Sequence, residues 1–325
     1  MSKTFFFYAT IWWGKMMKKH ILIGVIYAMI FGLTFMFSKI GLQSIHPIGL
    51  IAFRFTIASM TLMIMHILKI IRIHFTKKQL LLVLPLVFFQ PILGFSSEVF
   101  GINFSQSSEA GMMIALIPII VAILSFLFST EKPTLKQVIS IIMSVTGVLF
   151  IQLMNVRTIA DFSLLGAILM FVSAFAAASF NILSRKLSTK ITPVQITSLM
   201  MFTGAIVFMS WYVMILLNSN SITSFFEPIQ HASFILSVLY LGVIASILGF
   251  FLVNYNLKHL PAHVSSIFAN VATLTSILVG VIFLNEVLYW YHIIGAMMII
   301  SGVIGVIFFR RKKNVIIENI FTENL

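Results

Sequence analysis

The 325-residue sequence contains no cysteine, which removes disulfides, thiol nucleophiles and thiolate-held metal clusters from its chemistry. Charge is scarce as well: Asp, Glu, Lys and Arg make up 9% of the chain, with 8 acidic residues against 21 basic ones. So little polar surface cannot cover a soluble domain. The patterns HExxH, GxSxG and the phosphate-binding glycine loop are also missing, so no zinc site, serine nucleophile or nucleotide cradle is indicated. The net charge of +13 would suit nucleic acid if it were gathered on one polar segment, but the cations are scattered between apolar runs. The expectation is of no metal, no cofactor, no nucleic-acid partner and no enzyme activity.

What the sequence has in excess is apolar side chain, 60% of all residues, arranged in runs. A helix needs about 20 mostly apolar residues to cross the hydrocarbon core. Ten such spans are predicted, at 20–40, 48–68, 79–103, 110–129, 135–154, 163–183, 194–217, 233–255, 262–284 and 287–309. In lipid every backbone polar group must be satisfied within the chain, and the short alternating strands of a membrane barrel are absent, so the spans are helices. The fold class is therefore an all-α integral membrane protein. Pro85 and Pro91 share the third span, which makes it the helix most apt to break.

Alternate loops carry very different charge. One set of loops, with both termini, holds 18 of the 21 Lys and Arg residues, whereas the other set holds Arg157 alone. The last two, Lys39 and Arg54, fall inside spans. Positive loops stay in the cytoplasm, so residues 1–19 form a cytoplasmic N-terminal segment, residues 310–325 a basic cytoplasmic tail, and the protein is multi-pass in the cell membrane. The stretch TFFFYATIWWG, residues 4–14, is too short to span; it suits an interfacial position, and Met16 or Met17 is an alternative start.

The two halves of the sequence resemble each other. An offset of 155 sets VISIIMSVTGVLF (138–150) on IIGAMMIISGVIG (293–305), with Glu131 on Glu286 and Gly147 on Gly302. An offset of 146 sets SKIGLQSIHP (38–47) on SRKLSTKITP (184–193). The halves are 20–154 and 163–309, with 155–162 as linker, and each holds five spans. An odd number of spans makes the second copy enter the membrane from the opposite side. Such inverted repeats place a substrate site near the midplane of secondary transporters.

With the motifs GLTFMFSKIGL, HPIGLIAFRF, IPIIVAILSFLFSTEKPTLKQVISIIMSVTGVLF, YLGVIASILGFFLVNYNLKHLPAHVSSIF and FLNEVLYWYHIIGAMMIISGVIGV, residues 20–309 resemble the EamA-type transporters of the drug/metabolite transporter superfamily. The resemblance implies ten helices as two inverted five-helix repeats, a central cavity lined by the first four helices of each, and export or exchange of small metabolites such as amino acids. It also marks Pro118, Glu131, Gly147, Glu286 and Gly302 as motif positions. Two departures are visible: Thr273 stands where the second repeat would match Pro118, and Phe31 fills an early span 1 position without a tryptophan.

Within the spans, Arg54 lies about 9 Å and Glu98 about 8 Å below the outer edge, at the helical rise per residue. A lone charge there costs roughly 2.5–3.5 kcal/mol, so a pair between Arg54 and Glu98, shared with Lys39 or not, is the economical arrangement. It serves either to lock helices 2 and 3 or to hold an anionic or zwitterionic substrate group at an outer gate. Gln90 and Asn270 carry amides deep in spans 3 and 9, free to bond substrate or a neighbouring helix. Glu131 and Glu286 read as cap or loop residues. Small residues Gly242, Ser246 and Gly249, and Gly295, Gly302 and Gly305, allow close helix approach within the protomer or between two protomers of a homodimer. His259 and His263 flank Pro261 without a third ligand nearby, a poor metal site. The function read from these features is a carrier of small molecules in the lipid bilayer, working by alternating access. A sensor or assembly factor on the same fold is the alternative, distinguished by its lack of a polar-lined cavity.

Overall fold

The computed structural model describes residues 3–104, 113–155, 163–219, 222–283 and 287–309, and no strand occurs among them. The helices are α1 (Lys18–Gly41), α2 (Pro47–Ile67), α3 (Lys77–Gly101), α4 (Met113–Phe128), α5 (Leu135–Met154), α6 (Leu164–Leu187), α7 (Pro193–Asn218), α8 (Ala232–His259), α9 (Ala262–Phe283) and α10 (Trp290–Phe308). Nine are long and apolar enough to cross a bilayer, and α4 is the shorter tenth. The helix that ends as α1 begins at Lys3, so residues 4–14 continue it. Arg157 and Glu286 lie outside the described residues.

Polar residues at the joints start the helices. Thr76 with Gln79 and Thr192 with Gln195 form reciprocal capping boxes at α3 and α7, each satisfying backbone donors that a helix start leaves open. At α5 the same exchange joins Thr134 and Gln137. The cap of α5 is therefore Thr134 and not Glu131, whose carboxylate goes elsewhere.

The packing repeats itself. Helix α1 packs on α9 and α8, and, five helices on, α6 packs on α4 and α3; α2 packs on α7, and α5 on α10. Exchanging each helix for its counterpart five places along turns each of these contacts into another of them, the signature of a twofold relation between the halves. The interruptions obey it too. Helix α3 widens to a π-helix at Phe88–Leu93, and its counterpart α8 does so at Tyr240–Gly249. In α3 the cause is local: Pro91 lacks an N–H and disfavours helical backbone before it, and Gln90 leaves helical geometry at φ −142° and ψ 124°.

Close approach explains the motif glycines. A Cβ on Gly147 would lie 2.7 Å from the Gly295 carbonyl oxygen, and one on Gly302 would lie 2.5 Å from that of Ser140. Helices α5 and α10 therefore touch backbone to backbone. Gly242 does the same for α8 against α2, facing the Arg54 carbonyl, so these small-residue stripes are used inside the protomer. The large apolar residues left exposed, such as Ile206, Leu127 and Phe308, cover the outside, as a lipid-facing surface requires. The loops carrying Lys69, Arg72, Lys132 and Lys190 join α2 to α3, α4 to α5 and α6 to α7, and so share one face, the basic face.

Candidate functional site

Between the halves lies a cavity of about 240 Å³, walled by α1, α2, α3, α4, α6, α8 and α9. Its wall is mostly apolar, with a cluster of aromatic rings. Phe250 on α8 is the hub, with ring centroids of Phe31, Phe95 and Phe180 at 5.4, 6.2 and 6.4 Å. Alanines and serines from α1, α6 and α9 keep the interior open, among them Ala28, Ala177, Ala269, Ser173 and Ser266.

Three residues singled out in the sequence meet here: Arg54, Gln90 and Glu98. Arg54 is buried, and its Nε donates to Ser246 Oγ at 2.7 Å. Its guanidinium carbon stands 5.2 Å from the Phe95 ring centroid and 5.9 Å from that of Phe55. A buried guanidinium needs such partners because it cannot shed its charge. Ser246 belongs to the opposite half, so the charge on α2 is held across the repeat interface.

Glu98 feels the charge of Arg54, yet the two form no ion pair, and among the described residues the carboxylate accepts no hydrogen bond. In place of the pair expected from matched depth, the two residues line one cavity without a direct ion pair. The Gln90 amide oxygen is buried without a partner, at the point where α3 leaves helical geometry.

The other sequence-derived positions are placed elsewhere. Lys39 is exposed at the end of α1 and does not line the cavity. Asn270 is buried outside it and donates to Ser144 Oγ at 3.0 Å, joining α9 to α5. Pro118 is buried at the start of the regular helix of α4, where a missing N–H costs nothing. Gly147 and Gly302 serve the α5–α10 contact. Glu131 binds Arg185. Among the described residues no cluster of three or more potential metal ligands occurs, and His259 stacks on His20. Sequence reasoning missed Arg185, Ser246 as a partner of Arg54, and the Phe250 hub. The first had a signal, since the internal alignment sets Arg185 on Lys39; for Phe250 there was none in so phenylalanine-rich a chain.

Ten apolar helices in two inverted halves, with buried charge turned into a cavity between them, define a multi-pass membrane protein built as a transporter. The chain belongs to the EamA-like transporter family, whose model matches it twice, over residues 18–153 and 164–308. YcxC, an uncharacterized transporter of Bacillus subtilis (strain 168), is 34% identical over 281 residues, covering 86% of this chain and 90% of the relative. An uncharacterized transporter of Archaeoglobus fulgidus is 29% identical over 291 residues, covering 88% of this chain and 98% of the relative. A solved crystal structure shares the fold with a TM-score of 0.74 at 16% identity, over 90% of this chain and 98% of its own.

Proposed function

We propose that this protein is a secondary carrier that exports or exchanges small zwitterionic metabolites, amino acids or close relatives, across the cell membrane by alternating access, with no enzyme activity of its own. The observation that carries this reading is that Arg54 and Glu98 line one cavity, beside a cluster of aromatic rings, without forming an ion pair with each other. A carboxylate group of the substrate satisfies the guanidinium, an ammonium group satisfies Glu98, and an apolar remainder lies on the rings. Gln90 offers its unpartnered amide oxygen to the same ligand. Two charges left unbonded to each other in one cavity are a costly way to fix two helices and a serviceable way to hold a ligand that completes them. Both termini are cytoplasmic in this reading, because the face with the basic loops is the face that stays inside.

The test is transport by purified protein in liposomes, comparing a panel of amino acids with their des-amino carboxylic acids. Zwitterions are moved and the des-amino acids are moved at least about tenfold less well, the scale set by leaving a buried charge unpaired. Glu98→Gln removes that discrimination. A protein that moves no member of the panel, or moves both classes equally, does not fit the proposal.

A further inference from the structure

We infer that Glu131 and Arg185 form a latch that holds the cavity shut at the basic face and has to open before the cavity can turn that way. The inference rests on the alternating-access reading above. Arg185 stands in the last turn of α6, and Glu131 in the loop between α4 and α5. The guanidinium grips the carboxylate with two bonds, Nη2 to Oε1 at 2.7 Å and Nε to Oε2 at 2.9 Å. Its remaining nitrogen, Nη1, donates to the carbonyls of Leu257 at 3.0 Å and Lys258 at 2.6 Å. Those carbonyls lie in the last turn of α8, where a helix leaves its acceptors unmatched. One side chain thus ties together α6, α8 and the end of α4. Each of the three lines the cavity, through Phe180, Phe250 and Ile117.

A second polar layer lies one helical residue away from Arg185. Ser184 Oγ bonds Asn254 Oδ1 at 2.7 Å, and Asn254 Nδ2 donates to Thr197 Oγ1 at 3.1 Å, joining α6, α8 and α7. Opening this end of the molecule requires both layers to part.

Two observations favour a latch over a fixed staple. The side chains of Arg185 and Glu131 are 23% and 22% exposed, so water stands ready to replace the bonds when they break. The internal repeat sets Ser38–Lys39 on Ser184–Arg185, and Lys39, at the opposite face, is exposed and forms no ion pair among the described residues. One face holds its cation in a clasp while the related cation on the other stands free. That is the asymmetry of a carrier closed toward the basic face.

Because the chain has no cysteine, Ala269→Cys in the cavity wall supplies a single reporter for a membrane-impermeant maleimide added to right-side-out or inside-out vesicles. Adding Glu131→Gln or Arg185→Gln raises the ratio of basic-face to opposite-face labelling by about tenfold, the loss of one charge-assisted hydrogen bond's worth of bias. An unchanged ratio in folded, monodisperse protein overturns the latch. Should either variant fail to fold, Arg185→Lys decides on the same ratio: it keeps the charge and loses the fork, and a ratio no higher than the parent's again overturns the inference. Transport by the parent is measured separately. A shifted ratio in a protein that moves no substrate upholds the latch and removes the carrier; transport with an unmoved ratio does the reverse.

Discussion

At Arg54 the chemistry of a single side chain decides between a structural and a transport role. The Nε bond to Ser246 fixes the guanidinium beside the Phe95 ring, in the wall of the cavity. Lysine keeps the charge but has neither the fork nor the flat face. Arg54→Lys is therefore expected to insert and fold, with a melting temperature within a few degrees of the parent in detergent, and to lose about tenfold or more of substrate uptake in liposomes, since a charge-assisted hydrogen bond contributes roughly 1.5–3 kcal/mol. A variant that fails to fold instead would mark Arg54 as a structural residue. Ser246→Ala, which removes the positioning partner and leaves the charge, should raise the substrate concentration needed for half-maximal uptake more than it lowers the maximal rate.

The seam of α5 and α10 is built on closeness. Gly302→Leu places its first side-chain carbon 2.5 Å from the Ser140 carbonyl oxygen, so backbone has to move. Overpacking of that kind costs about 1–3 kcal/mol, and a lower melting temperature with little change in substrate preference is the expected outcome, read by thermal unfolding and by the transport panel. Asn270→Leu tests the same seam from a polar side, because it leaves Ser144 without its partner. At this scale much was legible in advance. Hydropathy marks the spans because lipid leaves so few alternatives, and the two prolines place the break in α3. The pairing of helices was not legible, because apolar faces turned to lipid and apolar faces turned to protein read alike. The site was half legible for a related reason: a charge inside a span is conspicuous, so Arg54, Gln90 and Glu98 stood out, whereas the phenylalanines around them did not. Arg185 was hidden because the sequence reading put it in a basic loop, where topology alone accounts for a cation, whereas it stands in the last turn of α6.

The sequence divides into halves more cleanly than the molecule does. Closely packed helix pairs, α5 with α10, α3 with α6, α1 with α8 and α9, and α2 with α7, each join one repeat to the other. A repeat alone would leave those faces, with Arg54 parted from Ser246 and Asn270 from Ser144, without their partners. The expectation is that the repeats are units of sequence and not of folding. Expressed alone, residues 1–158 and 159–325 should each fail to accumulate in the membrane; expressed together, they should co-purify from detergent through a tag on one half. The same interleaving bears on motion. Halves that met at one flat interface could hinge there, but here helices of both halves line the cavity, so in the proposed alternating access turning it from one face to the other means sliding several cross-repeat pairs at once. Co-purified halves that regain transport would show that the linker is not needed for that motion. Recovery of the complex without transport would place a mechanical role in residues 155–162, and accumulation of either half by itself would contradict the interleaved architecture.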